Sequence, residues 1–363
     1  MSTGSGAAAD SGILGMLPLA RSAVDRAAER RTDTAWLASA WAAPGTRVLP
    51  IDDGRALVRF GEGGAAEDGA AAGGAAEDRA AADRAAADGA AAGGAELVFV
   101  SPREAPEGVR FLLGVDAAGV VYFGVAGPLP GPSPGPSGDP GAAAPSRNRA
   151  ASAIRPAVRP ASLREVGQLL GDRDAGLMTH AVALANWHSV STHCSRCGAV
   201  TEPVSSGHAR RCPVDDSEHF PRLDPAVIML VTDPADRCLL ARNSRWPQRR
   251  VSILAGFVEP GESAEQAVAR EVLEETGISV GQVRYLGSQP WPMPHSLMLG
   301  FGALAAGEQE IRVDADEIAE AGWFSREDVR ASVASGTLLL PPPVSIAHRI
   351  IESWYGAELP GSW

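Results

Sequence analysis

Lysine is missing altogether from this 363-residue chain, so all 32 of its basic side chains are arginine. That excludes a phosphate loop of the G-K-[ST] type and any chemistry through a lysine Schiff base. Long apolar runs are missing too. No segment approaches the roughly eighteen consecutive apolar residues of a membrane-spanning helix. The opening MSTGSGAAADSG carries neither the basic stretch nor the apolar run of an export signal, and the expectation is a soluble, cytoplasmic chain with no membrane partner. Cysteine is scarce: four residues cannot frame a small disulfide scaffold, but Cys194, Cys197 and Cys212 lie close together, which suggests metal. Positive charge is also short. A net charge of -12 works against non-specific attraction to a nucleic-acid backbone and leaves room for a small anionic ligand held through metal ions.

What is present, with 45% hydrophobic residues, suffices for two or three domains with ordinary cores. Residues 1–12 read as a flexible N-terminus and 13–160 as an N-terminal α+β domain. In the latter, residues 21–41 (RSAVDRAAERRTDTAWLASAW) follow a helical pattern, and TRVLPIDD, RALVRF, ELVFVSP, FLLGVD and VVYFGVA read as strands. Two interruptions are expected there. At about 61–95 the chain reduces to Ala, Gly, Asp, Glu and Arg, with little side chain to bury, and at about 127–148 it is rich in Pro and Gly. Residues 161–222 read as a helix followed by the cysteine segment, and 223–357 as a compact α/β domain.

The most specific pattern is AGFVEPGESAEQAVAREVLEETGI, residues 255–278, which fits G-x5-E-x7-R-E-U-x-E-E-x-G-U throughout, U being a bulky aliphatic residue. Ser263 can cap a helix with Gln266 returning the bond, and Gly277 can close it in the left-handed conformation. Between them Glu271, Glu274 and Glu275, at i, i+3 and i+4, span an arc of roughly 100°. Ala269, Val272 and Leu273 take another side. Three carboxylates so close repel one another unless a cation neutralises them, and oxygen ligands suit magnesium or manganese. Arg270 stands where it can orient a carboxylate.

This loop-helix-loop resembles the signature of the Nudix hydrolase family. The resemblance implies an α/β/α sandwich and hydrolysis of a nucleoside diphosphate linked to another group. It implies Mg2+ or Mn2+ held by Glu271, Glu274, Glu275, the backbone carbonyl of Ala255, and Glu317, with Glu320 the alternative for the last. Glu274 and Glu275 are the candidate bases, and Arg270 completes the catalytic set.

Beyond the box, SQPWPMPHS (288–296) has prolines at 290, 292 and 294 that fix φ and favour a stiff extended run. It resembles the S-Q-P-W-P-F-P-x-S segment of NADH pyrophosphatases, with Met293 in place of the phenylalanine. The resemblance implies a dinucleotide pocket lined by Gln289, Pro290, Trp291, Pro292, Met293, Pro294, His295 and Ser296. It places Phe220 and Phe257 around a nucleotide ring and Ala347 at a late substrate contact. Met293 keeps an apolar, polarisable contact there but offers no flat ring to stack.

Cys194, Cys197, Cys212 and Asp215 have the form C-x2-C-x14-C-x2-D. NADH pyrophosphatases show a four-cysteine zinc ribbon at this point, followed by an aromatic-Pro-Arg segment, here Phe220-Pro221-Arg222. A structural Zn2+ is therefore implied, with Asp215 at the fourth position and His219 as the alternative ligand; buried free thiols are the competing reading. Cys238, in an apolar strand, reads as packing. The whole resemblance implies a zinc ribbon between an α+β domain and a Nudix sandwich, in a homodimer that converts NADH or NAD to nicotinamide mononucleotide and AMP. In some members it extends to removing NAD caps from RNA 5′ ends. The alternatives are a Nudix hydrolase of ADP-ribose or another diphosphate, and a non-catalytic nucleotide sensor.

Overall fold

The computed structural model describes residues 13–61, 94–130, 157–307 and 309–360. The flexible N-terminus expected at 1–12 lies outside these residues, as do most of the insertions expected at 61–95 and 127–148. The chain divides into two compact units, residues 22–221, and residues 222 onward joined by the N-terminal stretch up to Arg21.

In the first unit, β1 (Val24–Asp25), β5 (Val109–Asp116), β6 (Val121–Ala126) and β2 (Arg47–Ile51) form a sheet in that spatial order. A second sheet runs β4 (Ala95–Leu97), β3 (Arg55–Phe60), β7 (Val158–Ser162). The apolar runs of β5 and β6 are buried on both faces, with Phe111, Leu112, Leu113, Phe123 and Val125 all inside. Helix α1 covers only Thr34–Ala42, against the helical reading of 21–41. Ala27 adopts a left-handed conformation that interrupts the pattern, and Asp33 caps the later start by accepting from the Trp36 amide at 3.0 Å. After the short α2 (Leu163–Val166), the long α3 (Asp172–Val190) buries Leu177, Met178, Ala181, Val182 and Leu184. It leads into a ribbon of β8 (Glu202–Val204), β9 (Ala209–Arg211) and β10 (Glu218–His219).

In the second unit, the sheet order is β14 (Val280–Trp291), β15 (Ser296–Ala305), β11 (Asp224–Thr232), β12 (Cys238–Asn243), β16 (Ile318–Phe324), with β13 (Leu254–Phe257) also paired to β11. Strand β11 shows why the sheet is covered on both sides. Its side chains alternate, so Val227, Met229 and Val231 enter one core and Ile228 and Leu230 the other. The first core is closed by α4 (Ala264–Thr276) through Ala267, Val268 and Val272. The second is closed by α5 (Arg326–Ala334) and α6 (Ile346–Tyr355) through Val329, Ile346, Ile350 and Ile351. An α/β/α sandwich results.

Leu17 also enters the second core, with Leu14 against it, so the stretch up to Arg21 belongs with this unit rather than with the N-terminal domain expected from residue 13. Two leucines in a short stretch gain more from an open apolar face than from staying in water. Among the described residues no helix is long and apolar enough to cross a membrane.

Candidate active site and ribbon centre

Helix α4 begins and ends where its sequence directs. Ser263 accepts from the Gln266 amide at 3.2 Å, the Gln266 side chain accepts from the Ser263 amide at 2.9 Å, and Gly277 closes the helix at φ 70°. The helix therefore holds Glu271 and Glu275 facing inward, both nearly buried, while the Glu274 side chain is 60% exposed at the rim.

Arg270 ties the box together. Its Nε and Nη2 donate to Glu262 at 2.9 Å each, Nη1 to Glu271 at 2.8 Å and Glu274 at 3.0 Å, and Nη2 also to the Phe257 carbonyl at 2.9 Å. These five bonds use the full donor capacity of a guanidinium. Gly256 matters for a different reason: a Cβ there would collide with the Glu271 carboxyl group and force that side chain to move.

A cavity of about 370 Å³ opens beside these groups, lined among others by Ala255, Phe257, Glu271, Glu275, Asp316 and Glu317. The Asp314 amide donates to the Glu275 carbonyl at 3.2 Å, which brings the Glu317 loop onto the end of α4. Glu275 bears the electrostatic consequence. Burial, then the charges of Glu271, Glu317 and Glu274, pushes its carboxyl up to about 8, and its Oε2 has no hydrogen-bond partner. Glu271 is raised as well by burial, against the pull of Arg270. A buried, unpartnered carboxylate among other carboxylates is a donor set that fits a divalent cation. Glu320 instead pairs with Arg242 at 3.0 Å, its side chain 75% exposed, and does not line the cavity.

The structure also places the remaining expected residues. SQPWPMPHS forms a hairpin rather than one extended run: Trp291 pairs with Ser296, and residues 292–295 make the turn. Gln289 is fully buried, its Nε2 donating to the Val344 carbonyl at 3.0 Å and its Oε1 accepting from the Leu19 amide at 3.4 Å, so both ends of its side-chain amide are engaged within the unit. Ala347 is 2% exposed within a core, and Pro292 is buried. Pro290, Trp291, Met293, His295 and Ser296 are half-buried and Pro294 exposed. His295 Nδ1 lies 3.1 Å from Asp224. None of residues 289–296 lines the 370 Å³ cavity. Register nonetheless puts the hairpin at the same end of the sheet as the box: Ala226 pairs with Phe257 on one side and Met298 on the other, and Asp224 pairs with Ser296. Phe257 is 56% exposed; Phe220, in the 22–221 unit, is 65% exposed.

Sequence reasoning missed Asn243, Ser244, Arg245, Glu259 and Asp316, which also line the cavity. Asn243 ends strand β12, and the other four sit in loops without periodicity. The larger groove in the 22–221 unit, about 760 Å³ and lined by residues such as Trp41, Arg110 and Phe123, offers no carboxylate, thiol or imidazole and has no means for this chemistry.

Within the 22–221 unit the cysteine segment folds as two loops of one design. The Cys194 amide donates to Ala199 and Gly198 to Cys194; in the same offsets Cys212 donates to Ser217 and Asp216 to Cys212. Gly198 and Asp216 both have positive φ. Asp215 therefore occupies in the second loop the place of Cys197 in the first. The ligand atoms of Cys194, Cys197, Cys212 and Asp215 all lie within 4.8 Å of one another, with Cys197 Sγ 3.4 Å from Cys212 Sγ. A zinc tetrahedron with bonds of about 2.3 Å has edges of roughly 3.8 Å, so the donor set fits zinc. Ser217 positions the carboxylate, donating to Asp215 Oδ1 from its amide at 3.0 Å and its hydroxyl at 2.5 Å. These bonds hold the Asp215 carboxyl far below the usual range. His219 Nε2 lies 3.1 Å from the Ser217 hydroxyl and is not among the clustered donors. Cys238 is fully buried, as packing requires.

Residues 222–339 match the NUDIX domain and residues 191–220 the NADH pyrophosphatase zinc ribbon domain. The NAD-capped RNA hydrolases NudC of Mycobacterium bovis and Mycobacterium tuberculosis are each 50% identical over 204 residues, 54% of this chain and 65% of theirs. A human NAD-capped RNA hydrolase is 43% identical over 197 residues, 51% of this chain and 42% of its own. The matched region thus spans a little under two thirds of the mycobacterial relatives.

Proposed function

Because this chain carries a Nudix domain and an NADH pyrophosphatase zinc ribbon, we propose that it hydrolyses the pyrophosphate bond of NADH or NAD. Water adds across one P–O–P linkage and the products are AMP and nicotinamide mononucleotide, the latter in its reduced form when the substrate is NADH. The observation that carries this reading is the Glu275 carboxylate, buried and unpartnered beside Glu271 and Glu317 in an open cavity.

Glu271, Glu275, Glu317 and the Ala255 carbonyl would hold Mg2+ or Mn2+, with Glu274 at the rim. A bound divalent cation supplies positive charge that polarises the phosphoryl oxygens and lowers the pKa of water. Arg270 orients the carboxylates and keeps the box closed on Glu262. Glu274 and Glu275 remain the candidates to take the proton from the attacking water. Phe257, exposed at the cavity, offers a face to a nucleotide ring.

The Trp291–Ser296 hairpin, at the same end of the sheet, supports a second nucleotide as the other half of the substrate. A structural Zn2+ on Cys194, Cys197, Cys212 and Asp215 belongs to the reading. So do a cytoplasmic homodimer and action on NAD-capped RNA, the activity named for the relatives.

A substrate panel of NADH, NAD, an NAD-capped oligoribonucleotide and ADP-ribose, with product identification, tests it. The expected result is a higher kcat/KM for NADH than for ADP-ribose, since only contacts kept in the transition state raise that ratio. Equal ratios would assign a general Nudix activity, and binding without turnover a nucleotide sensor.

A further inference from the structure

We propose that Arg245 receives a phosphoryl group of the substrate's diphosphate; this deepens the reading above and rests on it. Five carboxylates line the cavity, from Glu259, Glu271, Glu275, Asp316 and Glu317, against two arginines, Arg245 and Arg270. A dianionic diphosphate entering such a site needs a cation that is not already committed to the protein.

Arg270 is committed. All five of its N–H groups are engaged, four on carboxylates and one on the Phe257 carbonyl. Releasing one for a phosphate would break the bonds that orient Glu271 and Glu274. Neighbouring arginines are engaged as well, though less fully: Arg242 pairs with Glu320 at 3.0 Å, and Arg249 donates to the Gly336 carbonyl at 3.1 Å.

Arg245 is the exception. Among the described residues its guanidinium makes no ion pair or hydrogen bond, although carboxylates share its cavity. Its backbone is nonetheless fixed. The Arg245 amide donates to Asn243 Oδ1 at 3.0 Å, and Trp246 donates to the Asn243 carbonyl at 3.0 Å. Ser244 donates to the Glu317 carbonyl at 2.8 Å from its amide and to the Asp316 carbonyl at 2.9 Å from its hydroxyl. The residue is thus anchored to the loop that carries Glu317, while its exposed side chain lines the cavity without a partner among the described residues. A guanidinium fork in that position matches two oxygens of one phosphoryl group.

The test uses the full chain with Arg245→Ala and Arg245→Lys. For Arg245→Ala, kcat/KM for NADH should fall roughly tenfold to a hundredfold, mostly through KM, the usual loss of one charge-assisted bond. Arg245→Lys should recover part of it, keeping the charge without the fork. Calorimetry of inorganic pyrophosphate in the presence of Mn2+ should show the same weakening without turnover. Mn2+ binding in the absence of any anion, followed by electron paramagnetic resonance, should be unchanged or tighter, because a positive charge has left an acidic site. A structural role for Arg245 would weaken Mn2+ and pyrophosphate together and overturn the assignment. Unaltered KM and pyrophosphate affinity in Arg245→Ala, with normal turnover by the unmodified chain, would overturn it while leaving the hydrolase reading in place. Absence of turnover of every dinucleotide by the unmodified chain would instead defeat that reading.

Discussion

The proposed role of Glu275 sets stability against activity, and pH should separate them. Its carboxyl is raised to about 8 in the metal-free protein, chiefly by burial, against roughly 4.3 in an unfolded chain. Between those values the folded protein keeps a proton that the unfolded chain has released, so stability is full below about 4.3 and falls as pH rises through 8. The metal-free protein should therefore lose thermal stability from pH 5 to pH 8. Glu275→Gln should abolish that component, since an amide has no charge to desolvate, and yet lower metal-dependent turnover by roughly a hundredfold or more. Melting curves with chelator across this pH range, and rates at saturating Mg2+ and Mn2+, check both halves. Near-normal turnover in Glu275→Gln and also in Glu274→Gln would reduce the acidic face to a solvated surface. Gly256→Ala tests the same centre from the other side. Its methyl group falls on the Glu271 carboxyl, and the half-saturating Mn2+ concentration should rise roughly tenfold or more as that carboxylate is pushed away. A normal Mn2+ titration would mean that the strand, not Glu271, gives way. These residues were legible in the sequence because a helix imposes a period: once capped at Ser263 and closed at Gly277, the spacing fixes which carboxylates share a face. Ser244 and Arg245 obey no period. The placement of their loop depends on the bonds of Ser244 to Asp316 and Glu317, some seventy residues away.

At the scale of elements, the ribbon repeats one loop twice, and this repetition rather than the cysteine count favours Asp215 as the proposed fourth donor. Cys197 and Asp215 occupy equivalent places, and Ser217 aims the carboxylate toward the thiols. The purified chain should hold about one zinc per protomer, bound through three sulfurs and one oxygen. Asp215→Ala should release it, His219→Ala should retain it, and Asp215→Cys should slow its loss to a chelator, because a fourth thiolate makes the site softer. Metal analysis with timed chelator competition measures all three. Zinc-free protein with three rapidly alkylated cysteines would refute the site, and loss of zinc from His219→Ala alone would move the fourth ligand. The spacing C-x2-C-x14-C-x2-D made the loops legible, since each is a short local turn. Gln289 was not legible in the same way. A polar side chain in a Pro-Trp segment reads as a ligand contact, yet here it is buried by Val344 and Leu19, partners that no local pattern announces.

For the whole molecule, the chain path matters more than the order of domains along it. Residues 13–21 pack with residues 222 onward, so the sandwich is completed by a segment that precedes the entire other unit in sequence. Apolar pattern alone could not assign Leu14, Leu17 and Leu19 to one core rather than another, because short leucine-bearing segments fit any open apolar face. Leu17 is 4% exposed within the core of Ile228, Leu240 and Ile350, and Leu19 is 1% exposed with its amide on Gln289. Replacing Leu17 by alanine removes buried methyl groups and leaves a void, which costs about 2–5 kcal/mol in a well-packed core. With a separate core in each unit, calorimetry should resolve two unfolding transitions, of which only one responds to zinc removal. Leu17→Ala should lower the other, the one raised by Mn2+, and leave the zinc-dependent transition in place. Deleting residues 1–21 should lower the Mn2+-responsive transition further, since Leu19 and its bond to Gln289 are then lost as well. If Leu17→Ala instead lowers the zinc-dependent transition, or moves neither, the N-terminal stretch is no part of the sandwich core.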